Sequence, residues 1–158
     1  MESKLSVSAK RVQNFLFAKG FSFEIKELPG STRTAQEAAD SIGCAVAQIA
    51  KSLVFSEKET GLPILVIASG SNRVDLAKIG KTTGLKLGKA DGKYVKERVG
   101  YAIGGIPPVG HNESLETILY TASKVNSHKP SFPRKRESRN AAGFRVKPGM
   151  TSNVDVCK

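Results

Sequence analysis

The 158-residue chain has no tryptophan, two cysteines, two histidines and only 6% aromatic residues. Each scarcity narrows the field. With 39% hydrophobic residues and so few rings, the core is expected to be aliphatic. Cys44 and Cys157 are too few and too far apart for a disulfide framework or a thiolate metal site. No run of about 18 apolar residues occurs, so no membrane span is expected. The opening MESKLSVSAKRV lacks the apolar centre of a signal peptide, and a cytoplasmic protein is the expectation. Residues 1–120 contain no Ser-His-Asp set, so no covalent enzyme intermediate is expected, and no set of metal ligands; neither metal nor cofactor is expected.

Acidic residues are also scarce. Lys and Arg number 25 against 14 Asp and Glu, a formal charge of +11. The excess is uneven: residues 124–158 carry nine basic and two acidic residues, leaving +4 for residues 1–123. A mildly basic body permits an RNA partner without demanding one.

What is present reads as alternating helices and strands. Ser8 to Lys19 has Val12, Phe15 and Leu16 on one helical face, with Ser8 as cap and Gly20 as stop. Phe21, Phe23 and Ile25 alternate with polar residues, the period of a half-buried strand, and Pro29-Gly30 makes a turn. Thr34 and Glu37 have capping-box spacing at the start of a helix that Gly43 closes. Arg33, just before that helix, could meet a phosphate. Val46 to Ala50 reads as a helical turn leading into a strand, Lys51 to Phe55. PILVIA, residues 63–68, reads as a central strand buried on both faces. After the loop Ser69-Gly70-Ser71-Asn72, Asp75 caps a helix from Leu76 to Thr83. Leu85 to Leu87 is a short strand, Ala90 to Val99 a helix, and Ser114 to Tyr120 a strand. This interleaving predicts an α/β or α+β layered domain.

Two features carry candidate chemistry. Lys51 stands where a helical turn gives way to an apolar strand. It is either a stem snorkelling over apolar surface or a cation held at a strand's edge. GYAIGGIPPVGH, residues 100–111, pairs flexible glycines with prolines that lack N–H groups. Within GGIPP the backbone donors are Gly104, Gly105 and Ile106. The loop is either a plain turn or a rigid presenter of donors to a polar ligand.

Three blocks, STRTAQEAADSIGCAVAQIAKSLVF, SGSNRVDLAKI and GYAIGGIPPVGH, resemble the YbaK/prolyl-tRNA-synthetase-associated family of editing domains in order and spacing. The resemblance covers roughly residues 5–120. It implies a mixed, partly curled sheet flanked by helices. It also implies a free-standing deacylase that hydrolyses mischarged aminoacyl-tRNA, chiefly tRNA-Pro bearing a small non-cognate amino acid. Aminoacyl-tRNA and prolyl-tRNA synthetase are the implied partners. The family's essential lysine matches Lys51, and its G-x-x-x-P loop matches Gly104 to Pro108. Thr34, Ser69, Gly70, Asn72, Pro107, Pro108 and His111 are the expected substrate-binding residues.

On that reading water, or a group of the substrate, attacks the ester. The donors of Gly104, Gly105 and Ile106 hold the developing oxyanion, an effect worth about 3 kcal/mol per donor. A lysine acting as general base must give up its charge near neutrality, at about 1.4 kcal/mol per unit of pKa. A cationic Lys51 holding a phosphate or the carbonyl avoids that cost. Proline would be rejected by pocket size, and Cys44 serves packing.

The sequence departs from the family at about residue 121. Residues 124–158 have three prolines, clustered charge and no apolar period, and resemble a translated repeat element. The expectation is a domain over residues 1–123 and a disordered tail over 124–158 that truncates or replaces the family's C-terminal elements. His128 would be solvent-exposed. An open strand edge and exposed apolar sheet would follow. A non-catalytic tRNA- or synthetase-binding remnant is the alternative function, its tail giving salt-sensitive RNA affinity.

Overall fold

The computed structural model describes residues 5–28, 32, 34–121 and 124–128. Four helices, one 3-10 turn and five strands follow one another along them. Helix α1, Val7–Ala18, is capped by Ser6, whose hydroxyl accepts from the Ala9 N–H at 3.2 Å. Ser8, the expected cap, lies inside the first turn. Helix α2, Ala35–Ile42, has the expected capping box at Thr34 and ends at Gly43, which has a φ of 71°. A 3-10 turn, Val46–Gln48, leads into β1, Ala50–Glu57, three residues longer than the expected Lys51 to Phe55. Strand β2 is Pro63–Ser69. Helix α3, Leu76–Thr83, has Asp75 at its start and Gly84 at its end, as its sequence dictates. Strand β3 is Leu87–Lys89, shifted from the expected Leu85–Leu87. Helix α4, Gly92–Val99, begins after the Asp91 cap and not at Ala90. Strand β4, Glu116–Tyr120, and β5, Val125–His128, complete the sheet.

The strand order is β3-β1-β2-β4-β5. β2 runs parallel to β4, and the other pairs are antiparallel, so the sheet is mixed. β2 is central, and its apolar run buries side chains on both faces. Leu65 joins Val12, Ala90, Val95, Val99, Tyr101 and Leu115 against α1 and α4. Ile64, Val66 and Ala68 join Ile79, Leu87, Ile118 and Tyr120 on the α3 side. The expected layered domain, a mixed sheet flanked by helices, is therefore what the chain forms. Among the described residues no helix is long and apolar enough to cross a membrane.

Two expectations fail for identifiable reasons. Residues 21–25 alternate as a strand should, but they pair with no strand. The Gln13 side chain takes a strand's place, donating to the Phe23 carbonyl at 2.5 Å and accepting from the Ile25 N–H at 2.6 Å. Phe21 and Phe23 stay outside, while Ile25 packs on the first core. The sheet also runs past residue 123. In β5, Ser127 pairs with Ile118 and Asn126 with Leu119, and Val125 packs on the second core. Backbone pairing to β4 places this segment despite its weak apolar period. Leu119 of β4 is 49% exposed. The Pro29-Gly30 turn, Arg33, the His128 side chain and residues 129–158 lie outside the described residues.

Candidate functional site

The first candidate group forms at one end of β1 and β2. Ala50 pairs with Ser69 and Lys51 with Ala68, so the start of one strand lies beside the end of the other. The chain then turns through Gly70, whose N–H donates to the Ile49 carbonyl at 2.7 Å. The Lys51 ammonium donates to the Gly70 carbonyl at 3.0 Å. One of its three donors is thereby fixed, and the others remain for a ligand. The Ser69 hydroxyl donates to the Ala47 carbonyl at 2.7 Å and meets the Ser71 hydroxyl at 3.1 Å. The Asn72 N–H closes the turn on the Ser69 carbonyl, 3.0 Å away.

This turn requires a glycine. A Cβ on Gly70 would fall inside contact distance of the Val46 carbonyl oxygen and 2.8 Å from the Ala35 Cβ. The start of α2 thus presses on the turn that holds Lys51. Thr34 stands at that start, where its hydroxyl accepts from the Glu37 N–H at 3.2 Å and the Glu37 carboxylate accepts from the Thr34 N–H at 3.1 Å. Its visible work is capping.

The second group is the loop after α4. Gly100 ends that helix at a φ of 90°, and Gly104 adopts a φ of 88°. The Gly105 N–H donates to the Ala102 carbonyl at 3.0 Å. That donor is spent within the turn, which corrects the expectation of three open donors. Gly104 and Ile106 keep theirs among the described hydrogen bonds. The His111 Nε2 lies 2.8 Å from the Pro107 carbonyl. A carbonyl only accepts, so this nitrogen carries the proton. The Tyr101 hydroxyl donates to the Gly110 carbonyl at 2.9 Å, and the Arg11 guanidinium lies 5.0 Å from the centre of the Tyr101 ring. Arg11 also donates to Asn112 at 2.9 Å. Sequence reasoning missed this bracing by Tyr101 and Arg11. A buried tyrosine beside a glycine-rich loop was the available signal.

Burial lowers the His111 pKa below the usual histidine value. The bond to Pro107 opposes this, and the Arg11 charge adds to it. The unfolded chain therefore binds this proton more readily, and the stabilising contribution falls as pH drops through about 6.5. His111→Gln is expected to flatten the pH dependence of Tm below that value. Equal slopes for the two proteins between pH 5.5 and 7.5 would show that His111 does not brace the loop.

The structure gathers Lys51, Ser69, Gly70 and Asn72 next to Thr34. It separately gathers Gly104, Gly105, Ile106, Pro107, Pro108 and His111. Lys51 shares the face of its partner Ala68, which belongs to the second core. Ile106 and Val109 pack on the first core, across the sheet. No described contact joins the two groups. Gly105, Pro107 and Pro108 instead line a cavity of about 280 Å³ with Val12, Ile25 and Tyr101.

Comparison with known proteins bears on this arrangement. A sequence profile described as the aminoacyl-tRNA editing domain matches residues 30–125, which include every candidate residue above. The chain is 32% identical over 142 residues to the uncharacterised protein YwhH of Bacillus subtilis (strain 168), covering 85% of this chain and 87% of that protein. It is 32% identical over 89 residues to EbsC of Enterococcus faecalis (strain ATCC 700802 / V583), named as a candidate Cys-tRNA(Pro)/Cys-tRNA(Cys) deacylase, covering 54% of this chain and 52% of that one. A crystal structure described as a candidate trans-editing enzyme for prolyl-tRNA synthetase superposes with a TM-score of 0.68 at 50% identity, covering 73% of each chain. The profile spans more than half of the chain, and strands β1 to β4, the strand-end lysine and the glycine–proline loop all lie within it. The chain therefore belongs to the aminoacyl-tRNA editing domain family and has its YbaK-like fold.

Proposed function

We propose that the protein is a trans-acting deacylase that hydrolyses the ester of mischarged aminoacyl-tRNA, with tRNA-Pro bearing a small non-cognate amino acid as its substrate. The observation that carries the reading is the Lys51 ammonium, held 3.0 Å from the Gly70 carbonyl at a partly buried strand end. A cation anchored by one bond keeps donors for a phosphate or a developing oxyanion and need not reorganise during reaction. Water attacks the ester carbonyl, the bond to the ribose oxygen breaks, that oxygen takes up a proton as the freed hydroxyl, and the amino acid leaves as its carboxylate. The 50%-identical structural relative described as a candidate trans-editing enzyme for prolyl-tRNA synthetase supports the choice of tRNA-Pro and that synthetase as a partner.

The test is hydrolysis of a panel of mischarged tRNAs by the purified full chain. Release of a small amino acid from tRNA-Pro, with prolyl-tRNA-Pro spared, supports the reading. Binding of tRNA without hydrolysis of any panel member would leave a non-catalytic tRNA-binding domain.

The loop's part is tested by two glycine variants. Nothing lies within 4 Å of a Cβ built on Gly104, but its φ of 88° suits no β-branched residue. Gly104→Val is expected to cost about 1–2 kcal/mol of stability and to lower kcat/KM. Gly105→Ala, whose new Cβ would have the Ala102 carbonyl 3.8 Å away, is expected to leave both nearly unchanged. Unchanged kcat/KM in Gly104→Val would remove the loop from substrate binding.

A further inference from the structure

We infer that Phe21 and Phe23, with the exposed Lys10, Lys19 and Lys26 of the same N-terminal segment, form a stacking contact for unpaired bases of single-stranded RNA; this deepens the deacylase reading by naming a second contact for its substrate. Four of the chain's seven phenylalanines fall at positions 15, 17, 21 and 23, and all four are exposed. Phe21 is 42% and Phe23 54% exposed, and their rings stack at 5.6 Å with 12° between planes. The pair is held from beneath. The Phe21 N–H donates to the Leu16 carbonyl at 3.0 Å, and Gln13 clamps the backbone at Phe23 and Ile25. This fixed backbone presents aromatic surface outward, so a ligand would meet rings whose conformational freedom is already reduced.

The positive charge of this segment favours RNA over an apolar partner. Lys10, Lys19 and Lys26 are exposed, and none is in an ion pair among the described residues. Lys19 lies 5.8 Å from the Phe15 ring centre. Of the two acidic residues in the segment, Glu27 is engaged by the Ser6 N–H at 2.9 Å, which leaves Glu24. A second copy docking here by a two-fold axis would set lysines against lysines. Single-stranded RNA instead supplies base faces for the rings and phosphates for the cations, and stacking of this kind tolerates any base. The patch also adjoins the loop group. Ile25, two residues after Phe23, lines the same cavity as Gly105, Pro107 and Pro108.

The test uses the full chain and a fluorescent eight-nucleotide RNA ending in CCA, with a blunt RNA hairpin as control. Phe21→Ala/Phe23→Ala is expected to weaken binding of the single strand by about fivefold or more per ring, with little change for the hairpin. Phe21→Leu/Phe23→Leu keeps apolar area without a π-face and is expected to weaken it nearly as much. Both positions are exposed, so Tm should hold. With mischarged tRNA, KM should rise while kcat is kept. Single-strand affinity unchanged in the alanine variant overturns the inference, even where the wild type deacylates tRNA. So does wild-type affinity in the leucine variant, or a change of oligomeric state with RNA affinity intact. Loss of RNA affinity in a protein without deacylase activity would uphold this contact and sink only the catalytic reading.

Discussion

Lys51→Ala is expected to reduce kcat for ester hydrolysis by about 10²–10³, the loss typical of removing one preorganised charge-stabilising donor. The fold should survive. Lys51 is half-buried at a strand end, and its one described bond goes to a backbone carbonyl at 3.0 Å. Losing such a bond costs about 0.5–1.5 kcal/mol, so Tm should fall by only a few degrees. Lys51→Met separates charge from packing, since it keeps an unbranched apolar stem. If the ammonium acts on the substrate, the methionine variant is as inactive as the alanine variant. If the methionine variant keeps wild-type activity, the side chain only covers apolar surface.

The second large effect is expected from Gly70→Ala, which adds a single carbon. That carbon would press on the Val46 carbonyl and stand 2.8 Å from the Ala35 Cβ. Neither neighbour is the free end of a flexible chain, so backbone has to move. Overpacking of this kind costs about 1–3 kcal/mol. The displacement also shifts the carbonyl that holds Lys51 and loosens the Gly70 bond to Ile49, 2.7 Å long. Tm should drop by about 2–10 °C. Measured well below that Tm, kcat should fall by at least about tenfold, because a 1 Å misplacement alone can cost about 10²-fold. A variant with wild-type Tm would mean that α2 does not press on this turn. Lowered Tm with unchanged kcat would detach the turn from the chemistry.

Much of this architecture was legible because local chemistry and tertiary fold agree. Helix α3 carries its start signal in Asp75, which accepts from the Ala77 and Lys78 N–H groups, and its stop in Gly84. The unbroken run of β2 needed apolar cover on both faces and received it. Residues 21–25 misled because Gln13, remote in sequence, supplies the bonds that a neighbouring strand would have made. β5 was missed because VNSH shows no apolar period and is placed by pairing with β4. Both candidate groups were found as sequence blocks. Their placement on opposite faces was hidden, because it depends on the pairing of Lys51 with Ala68, and register flips with a slip of one residue. The spent donor of Gly105 was hidden for a similar reason, since it depends on how the turn closes on Ala102.

The most direct measurement is the rate at which the full chain releases alanine or cysteine from mischarged tRNA-Pro, taken beside proline release from prolyl-tRNA-Pro and repeated with Lys51→Met. The account predicts rapid release of a small non-cognate amino acid, alanine or cysteine, from tRNA-Pro, sparing of the prolyl ester, and a fall to near the uncatalysed rate in the methionine variant. Equal hydrolysis of the mischarged and prolyl esters, or release unaffected by Lys51→Met, would contradict it.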